Sequence, residues 1–279
     1  MNVLNKLLKR SKPTDVSRIS RLRSCPCTQA QLQSDVFQAW VVRIHEGPMH
    51  MHRKVWEYCY ITQALYERGL LTSGRRGLGF AVGQEPLSAL FASLGCQIVA
   101  TDLEIEEAQK GGWVETAQHA DSLDSLNRRS LCDAEVFRQC VSFRFLDMRR
   151  LPDDLGTYDF IWSSCSLEHL GTLTLGEQFI YESLKYLKPG GVAVHTTEFN
   201  LQSNDSTVAE GPTVIFRKKD IQTIAVNLRQ HGYRIDLDFA QGDMASDRVV
   251  DKPPYNHEVH LRLLMNDYIV TSYGMIIES

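Results

Sequence analysis

Gly79, Ala81 and Gly83 stand at alternate positions in the run Gly77-Leu78-Gly79-Phe80-Ala81-Val82-Gly83-Gln84-Glu85-Pro86. Small residues between a strand and a helix let the backbone approach a bound molecule closely. Pro86 falls in the first turn of that helix, where a missing N–H costs little. Nineteen residues after Gly83, the run Gln97-Ile98-Val99-Ala100-Thr101-Asp102 ends in a carboxylate. That is near the ~20 residues expected before an acid that accepts both hydroxyls of a ribose. A dinucleotide fingerprint wants Gly or Ala three residues after Gly79, where Val82 stands, and nicotinamide binding is disfavoured.

A second set of residues could move protons. Glu168 and His169 follow one apolar run, His195, Glu198 and Asn200 surround the next, and His257, Glu258 and His260 lie near the C-terminus. Carboxylates and imidazoles beside a reacting hydroxyl can take its proton as it attacks. An imidazole titrating near ~6.5 does so at neutral pH without a large environmental shift. His45, His50, His52, His119 and His231 fall outside these runs, and His50-Met51-His52 lacks a clear ligand set. Cys25-Pro26-Cys27 is too short for a zinc knuckle and has no CxxC partner pair. No metal is expected.

The elements that must position these residues follow from periodicity. From position 74 onward short apolar runs alternate with helical segments, which implies a parallel sheet. Strands are expected over 76–80, 96–101, 141–146, 159–164, 192–197, 234–239 and 268–276, with helices over 85–94, 175–187 and 219–231. The last two strands lack an intervening helix and should pair antiparallel. Before the sheet, helices are expected over 29–44 and 52–70, where Val55, Tyr58, Ile61, Leu65 and Leu70 mark an apolar stripe. The division is therefore 1–73, a basic segment with a helical extension, and 74–279, the catalytic domain.

Composition narrows the function classes. With 43% apolar and 23% charged residues in 279, the chain can bury a sizeable core. A net charge of -4 gives no drive toward phosphate backbones, so nucleic acid is not the expected partner. No uninterrupted apolar run approaches the ~20 residues that span a bilayer. Seven cysteines, an odd set with no secretory signal before them, are expected to be reduced thiols in the cytoplasm.

In order and spacing these motifs resemble the class I S-adenosylmethionine-dependent methyltransferases. Gly79, Ala81 and Gly83 match the family's first motif. Phe145-Leu146-Asp147-Met148 resembles its adenine-binding corner, Tyr158 to Ser164 its fourth strand, with Ser166-Leu167-Glu168-His169-Leu170 following, and Leu187-Lys188-Pro189-Gly190-Gly191 its entry to strand five. The resemblance implies an α/β, Rossmann-like, seven-stranded, mostly parallel sheet in the order 3-2-1-4-5-7-6. It implies S-adenosyl-L-methionine as cofactor, held by Gly79, Ala81, Gly83, Glu85, Asp102, Leu103, Asp147, Met148 and Ser164. It places His169 beside the transferred methyl, with Glu168, His195 and Glu198 shaping the same pocket. One departure is Gly77, which stands where the family carries an acid for the methionine ammonium. Glu85, or a helix around Trp56 and Glu57 folded over the site, is the expected substitute.

The acceptor is narrowed by what is missing. Base-methylating members carry Asn/Asp-Pro-Pro-aromatic after strand four, where this chain has Ser163-Ser164-Cys165-Ser166; Lys252-Pro253-Pro254-Tyr255 lies far downstream and reads as a rigid loop. The segments Gly77 to Leu87 and Ser163 to Gly171 are similar to bacterial methyltransferases of surface-glycan and sugar biosynthesis. O-methylation of a sugar or glycan-linked hydroxyl is the resulting expectation. The alternatives are N- or O-methylation of another small metabolite and a catalytically inactive cofactor-binding module. Lys6, Lys9, Arg10, Lys12, Arg18, Arg21 and Arg23, near Leu4, Leu7 and Leu8, suggest weak peripheral contact with an anionic membrane or acidic protein.

Overall fold

The computed structural model describes residues 21–114, 118–255 and 258–279. The basic residues from Lys6 to Arg18 with Leu4, Leu7 and Leu8, and the candidate His257, lie outside them. Among the described residues no helix is long and apolar enough to cross a membrane.

Five strands run in chain order through the region where alternation was expected: β2 (Arg76–Phe80), β3 (Gln97–Asp102), β4 (Val141–Phe145), β5 (Tyr158–Ser164) and β6 (Leu187–Asn200). They lie parallel in the spatial order β4-β3-β2-β5-β6, as the first five places of the expected order require. β9 (Tyr268–Glu278) pairs antiparallel with β6. Beyond it the expectation is corrected: the sheet has nine strands and not seven. β8 (Arg262–Met265) and β7 (Val250–Asp251) extend it on one side, and β1 (Cys25–Pro26) also pairs with β9.

The expected strand over 234–239 does not form. Arg234 makes one antiparallel bridge to Glu278, and Leu237 bridges Ser24. The backbone beside β9 that a strand there would need is taken by Ser24 to Pro26, whose turn toward the sheet the hydropathy pattern does not register.

Helices cover both faces. On one lie α1 (Gln29–Leu32), α2 (Asp35–Arg43) and α3 (Arg53–Tyr66), followed by α4 (Leu87–Ser93) and α6 (Ala134–Cys140), while the short α5 (Ile105–Lys110) follows β3. The single helix expected over 29–44 breaks at Ser34, whose hydroxyl accepts the Phe37 N–H and restarts the chain as α2. α3 buries Val55, Trp56, Tyr60 and Ile61 against Phe160, Trp162, Val192 and Val194 of the sheet. The other face carries α7 (Leu173–Ser183) and α8 (Lys218–Gln230), whose Phe179, Ile180, Ile224 and Leu228 pack on Leu78, Ile161 and Ala193. The carboxyl ends of the parallel strands stay open at one edge, where ligands of such sheets bind.

Candidate active site

The turn from β2 into α4 is shaped by steric limits. Ala81 and Gly83 both have positive φ, 45° and 51°, a region costly for most residues and free for glycine. A Cβ on Gly83 would run into the carbonyl of Gln118, and one on Gly79 would meet Trp162 and Val82. Gly79 thus serves packing under the turn, while Ala81 and Gly83 line the cavity. At Gly77 a side chain would collide with Phe160 and Ile98. This chain cannot carry an acid there.

Asp102, at the carboxyl end of β3, is buried. Its Oδ2 accepts the N–H groups of Gly83 and Ala120, each at 3.0 Å, and Oδ1 accepts that of Leu103 at 2.8 Å. Burial raises its pKa above the ordinary aspartate value, against these three donors. A carboxylate offers about four acceptor positions, so capacity remains for a ligand hydroxyl. Asp102 therefore braces the glycine turn as well as facing the cavity.

The cavity, about 420 Å³, is lined by Ala81, Gly83, Glu85, Asp102, Leu103, Asp147, Met148 and Ser164 among others. Every expected cofactor residue except Gly79 is on that wall. Asp147 is held by Arg149 at 2.8 Å, and although burial works the other way, this arginine keeps its carboxyl below the ordinary range.

Lys54, from α3, was not anticipated. Its ammonium lies 3.1 Å from Glu57 Oε2, 3.1 Å from Glu85 Oε1 and 3.1 Å from the Ser164 carbonyl. Glu57 is fully buried with five donors: Lys54, Ser164 and Thr196 on Oε2, and Cys165 and Ser272 on Oε1. Burial opposes its ionisation, but Lys54, Arg53 and the hydroxyls outweigh it and hold it at about 2. Glu85 differs: burial first, then Glu57, push it up to about 7 in spite of Lys54, and its Oε2 has no hydrogen-bond partner. The helix does fold over the site, as one of the two expectations for Gly77 had it. Trp56 turns away, stacking on Tyr60.

The expected proton-handling residues separate. His169 lines the cavity with Cys165 and Ser166. Its Nδ1 lies 2.9 Å from the Pro212 carbonyl, and its ring meets Trp113 edge-on at 4.4 Å. Burial lowers its pKa to about 4, so it is neutral at pH 7 and a weaker base than an unperturbed imidazole. His195 does not reach the cavity: strand alternation turns it to the face opposite Thr196 and Glu198, where it contacts Ser163 at 2.8 Å and Phe179. Glu168 and Glu198 are buried and are not on the cavity wall. Burial, then their mutual repulsion, pushes Glu168 to about 8, and burial also raises Glu198, whose Oε1 meets Arg53 at 2.5 Å. Asn200 is tied to the backbone of Gln202 and Ser203, and His260 pairs with Asp251 at 2.6 Å.

No family model matches the chain, and no curated protein matches it in sequence. Solved structures do match in fold. One is a candidate sarcosine dimethylglycine methyltransferase from Galdieria sulphuraria, 13% identical, with 88% of this chain and 98% of that one covered at a TM-score of 0.51. Another is the magnesium protoporphyrin IX methyltransferase ChlM from Synechocystis PCC 6803 with bound SAH, 13% identical over 90% and 97% of the two chains at a TM-score of 0.44. The first likeness shows the fold, a Rossmann-like α/β sheet of the methyltransferase type.

Proposed function

We propose that the chain is an S-adenosylmethionine-dependent methyltransferase acting on a hydroxyl, with a sugar or glycan-linked hydroxyl as the acceptor class. One observation carries the reading: a single cavity gathers residues from the ends of β2, β3, β4 and β5, the positions the sequence motifs mark. In this reading Asp102 takes the ribose, Leu103 and the Asp147-Met148 corner take the adenine, and the Ala81–Gly83 turn admits the methionyl chain.

Lys54 and Glu85 complement the two charges at that chain's end, the ammonium finding the unpartnered Glu85 Oε2 and the carboxylate finding Lys54. Bound S-adenosylmethionine supplies a sulfonium methyl for in-line attack. The chain orients that methyl and the acceptor and excludes water from both. Trp113, His169, Ser166 and Gln84 line the same cavity and support a hydroxylated acceptor. With Nδ1 at the Pro212 carbonyl, His169 has Nε2 as its other nitrogen for the hydroxyl proton.

Titration calorimetry with S-adenosylmethionine and S-adenosylhomocysteine tests the cofactor, and labelled cofactor with a panel of sugar and small-metabolite acceptors tests the reaction. Asp102→Ala should weaken both ligands by about 1.5–3 kcal/mol, the worth of hydrogen bonds to a charged group. His169→Ala should lower turnover by about 10²-fold or more with cofactor affinity intact. Absence of cofactor binding by the folded wild-type chain removes the proposal.

A further inference from the structure

We propose that Cys165, Glu168 and Glu198 form a divalent-metal site beneath the cavity, one the methyl-transfer reading does not require. One ligand atom from each residue lies within 4.8 Å of the other two. Cys165 and Glu168 follow β5 at its carboxyl end, and Glu198 lies in the neighbouring β6.

The second observation is what these carboxylates lack. Glu168 is fully buried and Glu198 nearly so, yet Glu168 Oε1 and Glu198 Oε2 have no hydrogen-bond partner. Most buried polar atoms in folded proteins are paired, and an orphaned buried carboxylate oxygen is a place where an ion or a water can sit. Glu57 nearby is saturated by five donors, whereas Glu168 has the Thr197 hydroxyl on Oε2 at 3.3 Å and nothing on Oε1. Arg53 meets Glu198, and Lys54 meets Glu57 and Glu85. Among the described residues no lysine, arginine or histidine forms an ion pair with Glu168.

A thiolate with two carboxylates suits a borderline cation such as Zn²⁺, whereas Mg²⁺ and Ca²⁺ prefer oxygen alone. Zn–S near 2.3 Å and Zn–O near 2.0–2.2 Å place tetrahedral ligand atoms about 3.5 Å apart. From separations up to 4.8 Å, the side chains close by about 1 Å. Binding forms the Sγ–metal bond and releases to solvent the thiol proton and the proton that burial keeps on the Glu168 carboxyl, and Glu57 Oε1 keeps the Ser272 hydroxyl at 2.5 Å after losing the Cys165 donor. Cys165 belongs to the cavity wall as well as to the cluster, which gives an ion its route of entry.

The test uses the full chain, reduced, freed of metal by chelation and titrated with Co²⁺ as the probe, then with Zn²⁺ in competition. Expected are one Co²⁺ per chain with a thiolate-to-cobalt charge-transfer absorption, its loss in Cys165→Ser, and its retention in Cys140→Ser. Glu168→Gln should weaken Co²⁺ at least tenfold, and Zn²⁺ should raise the Tm of the wild type and not that of Glu168→Gln. Glu198→Gln also strips Arg53 of its partner, so Glu168→Gln is the decisive carboxylate variant. No stoichiometric binding by folded wild type, or an absorption that survives Cys165→Ser, overturns the site. Cofactor titration of the same wild-type sample keeps that outcome distinct from failure of the methyltransferase reading.

Discussion

The two halves of the sheet hold their polar groups by different means. In β4-β3-β2-β5 the cavity is made largely by backbone: a turn with two positive φ angles, and Asp102 accepting three main-chain N–H groups. Beneath α3, from the end of β5 across β6 to β9, side chain meets side chain. Glu57 of α3 takes donors from Ser164, Cys165, Thr196 and Ser272, which lie 107 to 215 residues away in sequence. The first arrangement shapes a cavity, and the second fastens the N-terminal helices to the sheet through buried charge.

That contrast is broken or sharpened most strongly at Arg53, which is largely but not fully buried, pairs with the buried Glu198 and also donates to Ser272 at 3.2 Å. Removing one partner of a buried ion pair strands the other, at about 3–5 kcal/mol. Arg53→Leu should lower stability by that amount in urea unfolding. Loss of 1 kcal/mol or less would mean that the acid layer is not a fastening.

Next in size is Glu168. Its folded pKa of about 8 lies above the ordinary 4.5, so its contribution to stability is fully present below about 4.5 and is lost as pH rises through about 8. Glu85, at about 7, acts in the same direction, whereas Glu57, at about 2, contributes above 4.5 and loses that only in acid. With chelator present, Glu168→Gln should raise stability at pH 8 by about 1–3 kcal/mol, the scale of an unsatisfied buried group. It should also flatten the decline between pH 6 and 8. An unchanged slope would remove Glu168 as its source.

Legibility follows the same division. Spacing reports backbone chemistry, because a turn needs small residues at fixed positions and a strand end fixes where Asp102 emerges. The first five strands could therefore be placed from sequence, and the residues expected at the cofactor, Gly79 apart, line one cavity. Spacing says nothing about Lys54, whose role depends on α3 lying across β5 and β6. Its signal was indirect, in the missing acid at Gly77 and the polar Arg53, Lys54 and Glu57 on a helix otherwise buried. His195 was misplaced relative to Glu198 for a plainer reason: three residues apart on a strand, they face opposite ways. The strand expected over 234–239 was displaced by Ser24 to Pro26, a pairing across more than 200 residues.

A smaller effect is expected at Gly83. A Cβ there meets the Gln118 carbonyl and forces an L side chain to φ 51°, which costs about 1 kcal/mol or more. Because the turn lines the cavity, Gly83→Ala should weaken S-adenosylmethionine about tenfold, equal to about 1.4 kcal/mol, while that strain lowers Tm by only about 2–4 °C. Unfolding by Gly83→Ala would show that the turn holds the fold as well as the ligand.

The finest test asks which acid receives the ammonium. Glu85 titrates at about 7 because burial and then Glu57 disfavour its charge, with Lys54 opposing them. Glu57, at about 2, is ionised throughout the range of interest. Lys54, whose two carboxylate neighbours raise it against burial, and Tyr58, which burial raises, keep their protons there. An ammonium docking on Glu85 must compete with a proton below pH 7. Affinity for S-adenosylmethionine should then fall by no more than tenfold per pH unit below about 7, since one proton is linked to one site, and level off above it. Glu85→Gln should bind more weakly at pH 8 and lose the dependence between pH 6 and 8. A wild-type affinity flat from pH 6 to 8 would remove Glu85 as the receiver of the ammonium and leave it as a counterion of Lys54.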